Sequence, residues 1–232
     1  NLCSSREEFY SLMNEKAREL GATNSNFLNP CGMDNGEKGK NHLTTARDLA
    51  KIAQYAMSMP EFREIVQKTL IKIPPTNKHS EEVIVGTTNK LLLYGNSKYK
   101  SDYFTKVTGI KTGYTDRALN NLVSSAMNDE GTELIAVVLG VENYDMVFEY
   151  SKQLLEYGFK NYSLQPVIAP NSYITSVPVS NAEGNHNLDI LASSEGLKCL
   201  LPNDSSNTDY EIESRIKQNI EAPVKEGDVL GF

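Results

Sequence analysis

No stretch of the chain is apolar enough to cross a bilayer. The longest runs, such as Leu134 to Val141, fall far short of the roughly 20 residues a spanning helix needs, and no basic-then-apolar leader precedes them. Dense Lys/Arg blocks are also missing. With 30 acidic against 23 basic residues the formal charge is -7, so the electrostatic footprint of a nucleic-acid-binding protein is absent. Cysteine is scarce: Cys3, Cys31 and Cys199 are odd in number and widely spaced, which fits neither a disulfide framework nor a zinc site and reads as three packed thiols. His42, His79 and His186 are scattered, with no helical pairing and no carboxylate cluster beside them, so the pattern of a metal enzyme is lacking.

What is present is ordinary for a globular protein. The 232 residues, 39% hydrophobic and 23% charged, suffice for one or two domains with a sizeable core, and the chain reads as soluble. Ser5 can cap a first helix, with Glu8 reaching back in the S-x-x-E pattern, Phe9, Leu12, Met13, Ala17 and Leu20 on one face, and Gly21 as the stop. A Gly/Asn-rich loop through Asn29 to Asp34 precedes a second helix opened by Thr45, whose Ala46, Leu49, Ala50, Ala53 and Met57 form a small-residue stripe. Pro60 begins a short helical turn through Val66, and Thr69 to Ile73 and Val83 to Val85 predict short strands around Pro74-Pro75. Val107 to Lys111, Asn121 to Ala126 and Leu134 to Leu139 predict an antiparallel sheet, the last strand central because it is apolar on both faces. Tyr144 to Tyr157 is an amphipathic helix with Phe148, Leu154 and Leu155 among its apolar positions, ending at Gly158. Beyond Tyr162, short β-type runs at Tyr173 to Val179, Leu188 to Ala192, Leu197 to Leu201 and Tyr210 to Ile216 predict a small β domain without an obvious closing strand.

Lys111-Thr112-Gly113 carries the chemistry. Alone the triplet is weak, and its lysine would be read as a solvated edge-strand residue. Its place at the end of a predicted strand raises it, because K-T-G, with S-x-x-K and S-D-N, is a signature of β-lactamases and penicillin-binding proteins. An acyl-transfer site must orient its substrate and stabilise negative charge; a lysine, a hydroxyl and a glycine on a strand edge supply a charge, a donor and room for an approaching backbone. The stretch Val107 to Asp116 resembles the hallmark segment of the low-molecular-mass D-alanyl-D-alanine carboxypeptidases, the serine peptidases that trim peptidoglycan stem peptides. Met13 to Ala17, Glu19 to Gly21, Phe27 to Asp34, His42 to Ala50, Thr88 to Leu92, Leu134 to Gly140, Leu154 to Phe159 and Ala222 to Gly227 resemble that family in the same order, so the likeness covers nearly the whole chain.

The resemblance implies an α/β chain of the α+β kind: an incomplete penicillin-binding transpeptidase-like domain over residues 1–162, helices on an antiparallel sheet, and a small β domain over 163–232. It implies that Lys111 assists proton handling and steers the substrate, that Thr112, Gly113 and Thr115 line the cleft, and that the Tyr114 N–H supplies half of an oxyanion hole. The implied substrate is a stem peptide ending in D-Ala-D-Ala, with β-lactams as ligands of the complete enzyme, no cofactor, and a location outside the cytoplasmic membrane. In the family the S-x-x-K serine and the S-x-N loop precede the Ser5 helix, so the expectation is a fragment, inactive alone and prone to dimerise or to associate with the missing segment. Formal matches at Ser97-Lys98-Tyr99-Lys100 and Ser205-Ser206-Asn207 read as chance. Two departures stand out: Leu119 where relatives have glycine, expected to narrow the cleft, and Val147 where many have an arginine, expected to weaken carboxylate recognition. His42 and Asn89 match family positions and read as structural. A cell-wall binding module that kept the fold and lost the chemistry is the alternative.

Overall fold

A computed structural model describes residues 3–93, 97–184, 186–204 and 211–232. The chain divides into two units, Asn1–Lys160 and Asn161–Phe232. In the first, helix α1 (Arg6–Glu19) begins at Ser5, whose hydroxyl accepts from the Glu8 N–H at 3.1 Å and so satisfies a first-turn amide. The Glu8 carboxylate reaches one residue further back than the sequence pattern implies and accepts from the Ser4 N–H at 2.7 Å. Gly21, at φ +74°, ends the helix as expected. The single turn α2 (Gly36–Gly39) leads to α3 (Ala46–Met57), capped by Thr45 through the Asp48 N–H at 3.1 Å.

Asp48 interrupts the stripe of α3 and is 1% exposed. A buried carboxylate persists only where donors replace water, and here the Asn24 N–H and the Ser25 hydroxyl do so at 2.7 and 2.8 Å. One charge thereby ties the loop after α1 to α3. Helix α4 (Pro60–Val66) follows, with proline in its first turn, where no N–H is missed.

Strands β1 (Leu70–Ile73) and β2 (Val83–Gly86) form an exposed antiparallel hairpin. The main sheet has β3 (Lys106–Thr115), β4 (Leu119–Met127) and β5 (Glu133–Val141), antiparallel throughout in the order β3-β4-β5. Two expectations change here. The central strand is β4, the most buried of the three, and β5 lies at an edge among the described residues. Strand β3 does not stop at Lys111 but runs on to Thr115, so the K-T-G triplet lies inside a hairpin and not at its end.

Helix α5 (Tyr144–Asn161) also passes through its expected stop. A Cβ at Gly158 would lie 2.6 Å from Leu134 Cδ1, so this glycine permits close approach of helix to sheet. Between α5 and the sheet, Leu92, Leu122, Val147, Phe148 and Leu155 are at most 1% exposed. Burying each such side chain contributes about 1.5–3 kcal/mol, which makes this cluster the main support of the unit. A smaller cluster of Ala53, Met57 and Ile110 packs with Phe62, Val66, Val123 and Ile135. No helix among the described residues is long and apolar enough to cross a membrane.

In the second unit β6 (Tyr162–Ile168) and β7 (Tyr173–Ser180) precede β8 (Asn187–Leu191), β9 (Leu197–Pro202) and the short β10 (Ile220–Glu221). β6 pairs with β9 and β8 with β7, both antiparallel, while β10 joins β7 in parallel. Of the strand expected over Tyr210 to Ile216, Tyr210 lies outside the described residues and the rest forms only a bridge from Ile216 to Gly231. The chain end is nonetheless held: Arg215 and Phe232 exchange backbone hydrogen bonds at 2.9 and 3.1 Å. The cysteines are free, and Cys31 is exposed, so the reading of three packed thiols fails there.

Candidate functional site

The β3–β4 hairpin fixes the K-T-G residues by register: Lys111 stands opposite Val123, Thr112 opposite Leu122, Gly113 opposite Asn121 and Tyr114 opposite Asn120. No strand pairs with the outer edge of β3 among the described residues. Lys111 is exposed and its ammonium donates to the Thr112 carbonyl. A Cβ on Gly113 would meet nothing within 4 Å, so the glycine leaves a bare strip of backbone. Tyr114 is 63% exposed and donates its hydroxyl to Asp116 at 3.0 Å, a bond that raises the phenol above its ordinary value. The Thr115 hydroxyl donates to Asp34 at 2.8 Å and accepts from the Ala118 N–H at 2.9 Å, which ties the hairpin tip to the loop after α1.

The entry to this strand is clamped from several sides. At Gly109, φ is +155° and a Cβ would lie 3.0 Å from Val66 Cγ2, so only glycine suits the position. The buried Asn89 amide donates to the Gly109 carbonyl at 3.1 Å, while its side-chain oxygen accepts from the Leu91 N–H. Thr108, 2% exposed, donates to Glu133 and lies 2.7 Å from the Ser125 hydroxyl. Arg63 of α4 completes the arrangement with a two-pronged bond to Glu133 at 3.0 and 2.6 Å. That bond raises the guanidinium above its ordinary value.

Three residues near the triplet went unread in the sequence. Thr88 places its hydroxyl oxygen 2.6 Å from that of Thr112. The Tyr144 hydroxyl donates to the Thr88 carbonyl at 3.0 Å, and Asp34 supports Thr115 as described. Lys90 pairs with Asp145 and lies 4.6 Å from the centre of the Tyr144 ring, so the aspartate is held below and the lysine above its ordinary value. No local signal in the sequence marks Thr88, because its partner Thr112 lies 24 residues away.

The two departures acquire physical reasons. Leu119 has φ +58°, in the left-handed region that a glycine adopts freely and a leucine at a cost of about 1–2 kcal/mol. Turn geometry therefore accounts for the glycine found there in relatives. Val147 is 1% exposed inside the main core, so it does not face a cleft, and its side chain has no bearing on carboxylate recognition. His42 accepts from the Leu28 N–H at 3.0 Å and Asn89 braces β3, both structural uses.

The formal matches to a nucleophile motif gain nothing from their positions. Ser97 starts the three-residue turn Ser97–Tyr99, Lys98 within it and Lys100 after it are exposed, and Ser205 to Asn207 lie outside the described residues. Ser214-Arg215-Ile216-Lys217, a further formal match, is not helical and is bridged to the Gly231-Phe232 segment. A shallow groove of about 440 Å³ between β5 and α5, lined by Val137, Val138, Tyr150, Gln153, Leu154 and Tyr157, is mainly apolar. It has no lysine, histidine or carboxylate to perform proton transfer.

Comparison with known proteins agrees with the hairpin. The family model described as D-alanyl-D-alanine carboxypeptidase matches residues 1–143. The D-alanyl-D-alanine carboxypeptidase DacF of Bacillus subtilis is 30% identical over 99% of this chain and 54% of its own length. Among solved structures, penicillin-binding protein 5 of Haemophilus influenzae superposes with TM-score 0.64 at 27% identity, covering 96% of this chain and 59% of that one. Penicillin-binding protein D2 of Listeria monocytogenes, in a cefotaxime-bound form, superposes with TM-score 0.53 at 27% identity over 66% of this chain and 55% of that one. The chain spans about half the length of the curated relatives it matches. On this match, and with the K-T-G hairpin in place, the chain belongs to the D-alanyl-D-alanine carboxypeptidase family of serine-type, low-molecular-mass penicillin-binding proteins.

Proposed function

We propose that the protein works as a serine-type D-Ala-D-Ala carboxypeptidase of peptidoglycan maturation, with the β3–β4 hairpin as one wall of its site. The observation that carries this reading is the Lys111-Thr112-Gly113 triplet, with Lys111 and Gly113 exposed, on an edge strand that no other strand covers among the described residues, in a chain of this family. An open edge accepts an extended peptide through its main chain, which suits a stem peptide ending in D-Ala-D-Ala. Lys111 steers the anionic substrate and assists proton handling, Thr112, Gly113 and Thr115 line the cleft, and the Tyr114 N–H is one donor to the developing oxyanion. A serine hydroxyl attacks the carbonyl of the terminal peptide bond, the last D-Ala leaves with a proton, and water releases the acyl group. The nucleophile is a residue that the described coordinates do not identify: Ser5 is spent on the α1 cap, and Ser124 and Ser125 are fully buried in β4.

The same reading takes residues 1–162 as part of the catalytic domain and 163–232 as a β-rich appendage, places the protein outside the cytoplasmic membrane, and makes β-lactams acylating ligands. Association, as a dimer or with a further segment of the protein, draws support from the apolar groove of Val137, Tyr150, Leu154 and Tyr157. Labelling with a fluorescent penicillin tests the reading. The full-length protein takes the label, these 232 residues alone do not, and Lys111→Ala slows labelling of the full-length protein on the order of a hundredfold. Equal labelling with alanine at 111 would refute the assignment; no labelling of the full-length protein would favour a cell-wall binding module.

A further inference from the structure

A peptide acid presents a terminal carboxylate, which only accepts hydrogen bonds and therefore needs donors. The position at which an arginine was expected to supply them, Val147, is in the core. At the open edge of β3, in contrast, two hydroxyls meet: Thr88 Oγ1 and Thr112 Oγ1 are 2.6 Å apart, and either one can be the donor. Two hydroxyl groups in one mutual bond use one proton. The second proton stays available to a ligand, and the two oxygens are held side by side.

Thr88 is exposed, and its hydroxyl has Thr112 as its partner. Its backbone, however, is fixed. The carbonyl accepts from the Tyr144 hydroxyl at 3.0 Å, and the next residue is Asn89, 3% exposed, whose amide is bonded to the Gly109 carbonyl of β3. Tyr144 is itself braced by Phe148, ring centres 5.2 Å apart at 89°, and by the Lys90 ammonium over its face. A small hydroxyl on an otherwise exposed residue has thus been given a rigid mount beside the triplet, the arrangement that lowers the ordering cost of binding.

We propose that Thr88 is a substrate-binding residue that sets specificity for a free C-terminal carboxylate: with Thr112 it forms a two-hydroxyl cradle at the open edge of β3. In the cradle one threonine donates to the other, and the second donates outward to a carboxylate oxygen, with Lys111 supplying the nearby positive charge. The inference rests on the carboxypeptidase reading of the K-T-G hairpin.

The experiment compares kcat/KM of the full-length protein for an N-acylated D-Ala-D-Ala peptide acid and for the same peptide with a C-terminal amide. Thr88→Val removes the hydroxyl at nearly constant shape, and its expected effect is to lower the acid-to-amide ratio about tenfold, as fits loss of one hydrogen bond to a charged group. Thr88→Ser, which restores the hydroxyl, is expected to recover the ratio to within about threefold, a recovery that a purely structural role would not show. Lys111→Ala serves as the control for the underlying reading. If it slows acid and amide together while Thr88→Val leaves the ratio unchanged, the carboxypeptidase reading stands and the cradle is refuted. If Lys111→Ala leaves both rates intact, the reading falls and takes the cradle with it. An equal loss on acid and amide in Thr88→Val, or no recovery with serine, likewise overturns the proposal.

Discussion

Replacing Glu133 by alanine is expected to loosen the hold of α4 on the strand that carries Lys111. The carboxylate takes two bonds from Arg63, at 3.0 and 2.6 Å, and one from Thr108. Its side chain is 17% exposed and that of Arg63 is 35% exposed, so water screens the pair in part. Hydrogen bonds to charged groups contribute about 1.5–3 kcal/mol each when buried, and exposed pairs only about 0.2–1 kcal/mol. Because Thr108 keeps Ser125 as a partner and the guanidinium keeps solvent, the net loss should lie near the middle, about 2 kcal/mol. Arg63→Ala should cost at least as much, since it leaves a largely buried carboxylate short of its main donor. Amide hydrogen exchange at Leu122 and Ala126, both 0% exposed in β4, reads the opening free energy of this unit. A double-mutant cycle should return a coupling of about 1 kcal/mol or more. Single losses below about 0.5 kcal/mol, with no coupling, would show that the bond is a surface pair and that the packing of Phe62 and Val66 holds α4 in place.

Two further outcomes follow from the same structure. Val147→Arg should not improve peptide turnover but should unfold or strongly destabilise the larger unit, by about 3 kcal/mol or more, because it places an unpaired charge among Phe148, Leu122 and Leu155; thermal melting checks this, and a stable variant would mean that the valine is not core. The Lys90–Asp145 contact should be insensitive to pH between 3.8 and 10.5: the aspartate is held below 3.8, so its contribution is complete above that value and lost as pH falls through the lowered one, while the lysine is held above 10.5, so its contribution is complete below that value and lost as pH rises through the raised one. A titration of the Tyr144 ring resonances that moved near pH 7 would contradict the pairing.

Much of the first unit could be read from its residues because the deciding interactions are local. Ser5 and Thr45 cap their helices through the residue three further on, Pro60 opens α4, and Gly21 ends α1. Where the reading failed, a distant partner decided. Gly158 looks like a stop until Leu134 is seen beneath it; Val147 looks like a cleft position until Phe148 and Leu155 enclose it. Strand β5 is apolar on both faces without being central, since composition records how many sides are covered and not which edge is paired. In the second unit β6 was missed because Ser163, Gln165 and Pro166 dilute its apolar pattern, and its pairing with β9 is set across the chain. For the site, the triplet itself was legible as a motif, whereas Thr88 and Asp34 reach Thr112 and Thr115 from 24 and 81 residues away.

Tyr144 joins two regions that are usually treated as separate. Its ring packs at right angles to that of the core residue Phe148, and its hydroxyl holds the carbonyl of Thr88 beside the triplet. A conservative change in the core, such as Phe148→Leu, can therefore shift the mount of a hydroxyl at the surface by a fraction of an ångström. Such a variant would also lose stability, because Phe148 is fully buried in the main core, so peptide preference has to be read separately from folded yield. On the proposed role of Thr88, a change in the hydrophobic interior would alter selectivity here while every residue of the recognisable motif stayed the same.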